Sequence, residues 1–99
     1  MELSVLIPTF NEAENISLLI DKIKEIFQAT VYGYEIIVVD AGSEDNTFQI
    51  AENKGVIVFR QKNQGYGGAL RDGIASAKGK FILTLVADLS HNPYIIIRL

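Results

Sequence analysis

Leu3-Ser4-Val5-Leu6-Ile7-Pro8-Thr9-Phe10-Asn11-Glu12-Ala13-Glu14 passes from an apolar run through a polar turn into a helix start. Leu3 to Pro8 is too short for a helix and has the length and composition of a buried strand. Pro8 lacks an N–H for a sheet ladder and is expected to end that strand. Asn11-Glu12-Ala13-Glu14 reads as a capping box, in which Asn11 accepts an orphan N–H and Glu14 reaches back. Beyond it Ile16, Leu19, Ile20, Ile23, Ile26 and Phe27 recur at helical spacing, with Asp21, Lys22, Lys24 and Glu25 between them. That pattern predicts one amphipathic helix of about four turns.

The alternation then repeats. Tyr32-Gly33-Tyr34 turns the chain into a second apolar strand, Glu35-Ile36-Ile37-Val38-Val39-Asp40. A shorter helix from about Asn46 to Asn53 is stopped by Gly55, which stands where a helix end favours glycine. Val56 to Phe59 forms the third strand, Gly65-Tyr66-Gly67-Gly68 opens a helix over Ala69 to Ala77, and Phe81 to Val86 is the fourth strand. Asn92 as a cap and Pro93 at a first helical position predict a fourth helix of about two turns.

Strands apolar on both faces alternating with helices imply a parallel sheet covered on both sides. The expected fold is α/β, a three-layer α/β/α doubly wound and mostly parallel sheet with strand order 3-2-1-4. Ligands bind such sheets outside the carboxyl ends of the strands, at the switch point between strands 1 and 4. In that order the fourth strand is an edge. An exposed edge beside the apolar Tyr94-Ile95-Ile96-Ile97 predicts self-association, a homo-oligomer through that edge.

The 99 residues support one domain, 1–99, with a modest core. A net charge of −3 argues against nucleic acid as a partner, because that binding depends on many phosphate-neutralising side chains. The absence of Cys removes disulfides and thiolate metal sites. There is no basic segment ahead of the first strand, and no apolar run approaches the roughly 20 residues of a membrane-spanning helix. The expected location is cytoplasmic, or peripheral at the cytoplasmic face of a membrane.

Polar residues gather at the expected strand ends. Asp40 closes the second strand, where a carboxylate accepts from ribose hydroxyls or a base imino N–H, or else caps a helix or lies in solvent. Thr9 and Asn11 present small polar groups at the same rim. Asp45 is placed to cap or charge the start of the second helix. The run from Gly65 to Leu70 is no dinucleotide fingerprint: Leu70 stands at the third glycine position, and the loop follows strand 3 rather than strand 1. Glycines before a helix also permit close backbone packing, and Arg71 either faces a phosphate or lies in solvent. Val86-Ala87-Asp88-Leu89-Ser90-His91-Asn92-Pro93 carries Asp88 to the rim, to hold a hard divalent cation or to cap a turn before Pro93. His91, without a second His nearby, reads as a loop or cap residue.

Pro8-Thr9-Phe10-Asn11-Glu12, Asp40-Ala41-Gly42-Ser43-Glu44-Asp45-Asn46-Thr47, the run from Asn63 to Ala69, and Asp88 to Pro93 stand in this order at strand ends. Together they resemble the motifs of family 2 (GT-A type) glycosyltransferases, most closely the enzymes that load a sugar onto a dolichyl or polyprenyl phosphate. The resemblance implies a Rossmann-like nucleotide-sugar-binding half, truncated relative to a full GT-A fold. It implies a UDP- or GDP-sugar donor, inverting hexose transfer, and a polyprenyl-phosphate acceptor. Carried over by position, it assigns Pro8, Thr9, Asn11, Glu12, Asp40, Gly42, Ser43, Gly67 and Asp88 to the nucleotide-sugar, and Asp88 with Ser90 to Mg²⁺ or Mn²⁺. It identifies no catalytic base in this chain, and a phosphate acceptor, already anionic, needs none. Ala41 and Val86 depart from the pattern, each standing where the family carries an aspartate. Val86 weakens the metal motif and leaves an alternative, a non-catalytic nucleotide-binding module or partner subunit. A receiver-like signalling domain, a third class, lacks the acids expected after the first strand.

Overall fold

The computed structural model describes residues 1–85 and the strand at 94–98. Five strands, β1 (Leu3–Thr9), β2 (Tyr34–Asp40), β3 (Ile57–Arg60), β4 (Phe81–Leu85) and β5 (Tyr94–Arg98), form one sheet in the order β3-β2-β1-β4-β5. Helices α1 (Ala13–Gln28), α2 (Thr47–Asn53) and α3 (Gly65–Ser76) join the first four strands. Those four are parallel in the expected 3-2-1-4 order.

Strand alternation divides the core in two. Val5, Ile7, Ile36 and Val38 face the apolar stripe of α1 (Ile16, Leu19, Ile20 and Ile23) and Ala51 of α2. Leu6, Ile37, Val39 and Ile82 face the other way, under Ala69, Leu70 and Ile74 of α3. Each large aliphatic side chain buried this way contributes about 1.5–3 kcal/mol, so the α1 stripe anchors one whole face. The opposite face depends on close approach: a Cβ on Gly73 would lie 2.1 Å from Leu6 Cδ1. Among the described residues, no helix is long and apolar enough to cross a membrane.

The long helix, the second and third strands and the stop at Gly55 (φ 77°) follow the sequence pattern to within a residue or two. Five expectations need correction. Pro8 does not end β1, because Thr9 continues the strand opposite Asp40. The Thr9 carbonyl accepts from Ala41 N on the β2 side, so Pro8, one residue earlier, has its missing N–H on the β4 side. Asn11 is not the helix cap: Glu12 occupies that position and makes no side-chain capping bond. The glycine run is not a loop ahead of α3 but its first turn, which begins at Gly65.

The last two corrections concern the C-terminal segment. Tyr94–Arg98 is a strand rather than a fourth helix, antiparallel to β4 from Phe81↔Arg98 to Leu85↔Tyr94. Three successive isoleucines after a tyrosine favour an extended chain, and the ladder of β4 supplies partners that outweigh the local cap signal. Consequently β4 is not an edge, and the self-association argued from its exposure loses its basis. The predicted cap and first helical residue, Asn92 and Pro93, lie outside the described residues.

Candidate functional site

At the carboxyl ends of β1 and β2, Thr9 and Asp40 are register partners and share the face covered by α1 and α2. Asp40 is 0% exposed. Its Oδ1 accepts from Thr9 Oγ1 at 2.9 Å and Ser43 Oγ at 2.5 Å. Its Oδ2 accepts from Gly42 N at 3.1 Å, Ser43 N at 2.8 Å and Arg60 Nη1 at 3.0 Å. Gly42 turns the chain back over the carboxylate with φ 93°, a conformation that suits glycine. A buried carboxylate is tolerated only when donors surround it, and here the turn after β2 supplies most of them.

The same turn caps α1 from the neighbouring strand end. Asn11 N donates to Ser43 Oγ (2.8 Å), Glu12 N to Thr47 Oγ1 (2.8 Å) and Ala13 N to Asp45 Oδ2 (3.2 Å). In return, Asn11 Oδ1 accepts from Glu44 N at 2.8 Å. Asn11 adopts φ 54°, and no other non-glycine among the described residues has positive φ. Asp45 also accepts from Thr47 N (3.0 Å) and from the Thr47 hydroxyl, so it bridges the starts of α1 and α2. Bonds from the Thr47 side chain, then from the Thr47 and Ala13 backbone, hold the Asp45 carboxyl below its usual value. The orphan N–H groups of one helix are thus satisfied by a loop some thirty residues away. The two rim loops form one clasp.

Of the residues expected at the nucleotide-sugar, the structure gathers Thr9, Asn11, Glu12, Asp40, Gly42 and Ser43 into this clasp. Pro8 is half-buried in the strand beside them. The Glu12 carboxylate takes only a 3.4 Å contact from Asn15 Nδ2, a looser engagement than that of Asp40 or Asp45. Gly67 lies apart in the first turn of α3, with open space where a Cβ would stand. Gly68, by contrast, is a packing glycine: its Cβ would meet Asn63 O at 2.3 Å. Arg71 is exposed on α3. Val86, Asp88, Ser90 and His91 lie outside the described residues.

Sequence reasoning singled out none of three contributors. Arg60 ends β3 opposite Asp40, binds its carboxylate, and places its guanidinium 4.6 Å from the centre of the Phe48 ring. An arginine at the end of the strand beside an acid-terminated strand was the available signal. Thr47 is buried and structural rather than a ligand-facing residue. Asp72 accepts from Asn63 N, Lys62 N and Asn63 Nδ2, shaping the turn that leads into α3. The Asn63 and Lys62 backbone N–H groups lower its carboxyl below the usual value. A cavity of about 360 Å³ lined by Phe59, Arg60, Lys62, Asp72, Ala75 and Ser76 touches none of the expected nucleotide-sugar residues.

The parallel 3-2-1-4 sheet with helices between its strands is the Rossmann-like architecture of GT-A proteins. The chain belongs to glycosyl transferase family 2, whose sequence model matches residues 4–99. It is 36% identical over 104 aligned residues to a dolichol-phosphate mannosyltransferase of Pyrococcus furiosus, an alignment covering 100% of this chain and 29% of that protein. Among solved structures, mannosyl-3-phosphoglycerate synthase from Rubrobacter xylanophilus superposes with TM-score 0.82 at 27% identity, covering 89% of this chain and 31% of that one. Glucosyl-3-phosphoglycerate synthase from Mycobacterium tuberculosis, in complex with Mn²⁺, UDP and glucosyl-3-phosphoglycerate, superposes with TM-score 0.76 at 29% identity, covering 88% and 33%. The chain spans roughly a third of the length of the curated relatives it matches.

Proposed function

We propose that this chain is the donor-binding part of an inverting glycosyltransferase that takes a UDP- or GDP-sugar and passes a hexose to a dolichyl or polyprenyl phosphate. The observation that carries the reading is the clasp that fixes a buried Asp40 at the carboxyl ends of β1 and β2. Family membership and a relative that is a dolichol-phosphate mannosyltransferase support the donor and acceptor classes. In this reading Asp40 and Glu12 receive the nucleoside, Thr9 and Ser43 orient Asp40, and Gly42 and Pro8 shape the floor. Gly67 leaves room for the ligand at the start of α3, and Asn11 acts by holding the clasp. A polyprenyl acceptor would bring the protein to the cytoplasmic face of a membrane.

Two of the rim acids are unsuited to a cation. Asp40 and Asp45 have both oxygens engaged by protein donors, and no trio of His, Cys, Asp or Glu among the described residues is grouped to hold a metal. By the family resemblance, a Mg²⁺ or Mn²⁺ would be held by Asp88 with Ser90, where it would offset charge developing on the departing nucleoside diphosphate. Val86, beside that motif, favours a second reading, a nucleotide-binding module without turnover.

Calorimetry with UDP, GDP and their hexose conjugates tests the reading. Asp40→Ala is expected to weaken UDP and UDP-hexose by the same factor, because both carry the nucleoside. A loss confined to the intact nucleotide-sugar would contradict the assignment. Binding without hexose transfer to a polyprenyl phosphate would select the module. Val86→Asp should raise Mn²⁺ affinity in the absence of nucleotide, and Asp88→Ala should abolish that gain.

A further inference from the structure

Asp40 accepts five hydrogen bonds, from Thr9, Gly42, Arg60 and twice from Ser43. A carboxylate offers about four lone-pair directions. A nucleoside N–H or hydroxyl therefore reaches Asp40 only by displacing a donor already in place. Four of the five are tied down. Thr9 is 4% exposed. Gly42 N and Ser43 N belong to the turn itself, and Ser43 Oγ is also held by Asn11 N. Arg60 differs on each count. Its side chain is 57% exposed, it ends an outer strand, and it can leave without breaking a backbone bond: Gln61 N still donates to Asp40 O at 2.8 Å. Its guanidinium already lies 4.6 Å from the centre of the Phe48 ring, so it can turn off Asp40 into solvent while keeping that ring as a contact.

We propose that Arg60 is an exchangeable latch on the nucleoside subsite. It occupies Asp40 Oδ2 in the free protein and gives way, keeping its contact with the Phe48 ring, when a base or ribose donor takes that oxygen. The inference rests on the reading of Asp40 as the nucleoside acceptor. Two consequences follow from the geometry. The apparent affinity for a nucleoside is reduced by the fraction of molecules whose latch is open. Only a ligand that donates a hydrogen bond opens it, so inorganic diphosphate leaves Arg60 in place.

The test compares the full chain with its Arg60→Ala variant, titrating uridine, guanosine, UDP, GDP and inorganic diphosphate. The latch predicts that Arg60→Ala binds the preferred nucleoside and its diphosphate more tightly by the same factor, about threefold to tenfold if the closed state predominates. Inorganic diphosphate should bind the two proteins equally. In isotope-labelled wild type, solvent exchange of the Arg60 guanidinium protons should quicken when nucleoside saturates the site. Weaker UDP binding in Arg60→Ala, most pronounced for the diphosphate, would overturn the latch and make Arg60 a phosphate contact. Nucleoside binding that depends on Asp40 yet leaves the Arg60 signals unmoved would overturn the latch alone. If neither protein binds any nucleoside or nucleotide, or if Asp40→Ala binds as well as wild type, the donor-site reading itself falls and takes the latch with it.

Discussion

The two ends of β1 and β2 use one device in two ways. At the amino end, Ser4 Oγ donates to Glu35 Oε2 at 2.6 Å, while Gly79 N donates to Ser4 Oγ at 2.9 Å and Lys78 N to Glu35 Oε2 at 2.7 Å. At the carboxyl end, Asp40 gathers donors from Thr9, its own turn and Arg60. Both networks join neighbouring strands to a turn through a carboxylate. The difference lies in the donors. The amino-end turn is tied through backbone N–H groups, which move only with the chain, whereas Arg60 is an exposed side chain that can swing away. A polar network is therefore a staple at one end and, with Arg60 as a latch, an openable site at the other.

The sharpest way to break this comparison is Asp40→Ala. It strands the hydroxyls of Thr9 and Ser43 and two backbone N–H groups, and should cost about 3–5 kcal/mol in chemical denaturation. A loss under about 1 kcal/mol would mean that the rim relaxes and the network is not structural. Gly79→Ala strikes the opposite end, where a Cβ would lie 2.6 Å from both the Leu3 carbonyl carbon and Ser4 N. Overpacking against backbone should cost about 2–3 kcal/mol, with nucleotide affinity unchanged in the remaining folded protein. Altered affinity would show that the two ends are coupled.

Asn11 separates the clasp from its backbone cost. Asn11→Gly keeps φ 54° without strain but loses the bond to Glu44 N, and should cost about 1 kcal/mol. Asn11→Ala adds the strain and should cost about 1 kcal/mol more. Equal losses would show that the loop changes shape instead. The smallest effect is on pH. Asp45 and Asp72 have folded values below the ordinary 3.8 because backbone and side-chain donors favour the carboxylate. Their contribution is complete above that ordinary value and is lost as pH falls through the lowered folded values. Glu2, whose carboxylate accepts from Gly33 N at the amino end, follows the same sign from its ordinary 4.5. Urea melts stepped from pH 6 downward should show a declining acid limb that Asp45→Asn and Asp72→Asn each flatten. A steeper limb in either variant would contradict the donor assignments.

How legible each part was depended on the range of its interactions. The stripe from Ile16 to Ile23 and the alternation of β2 each repeat within a few residues, so helix, strand and parallel order could be read directly. Asn11 satisfies the local rule for a cap, yet its carbonyl went to Glu44 because the β2–α2 turn brings a better set of partners. The rim acids were recognisable by type and position. Their hydrogen-bond partners were not, because Asp40 and Arg60 become neighbours only through the β2–β3 register.

By itself, then, the order of residues determined the alternating strands and helices, the 3-2-1-4 sheet and the acid at the end of β2, because hydrophobic periodicity acts locally. Only the tertiary structure decided that Tyr94–Arg98 extends along β4 instead of coiling, that the loop after one strand caps the helix after its neighbour, and that Arg60 closes over Asp40. Each of those choices depends on which donors and acceptors another part of the chain leaves unpaired, and a segment read alone does not carry that information.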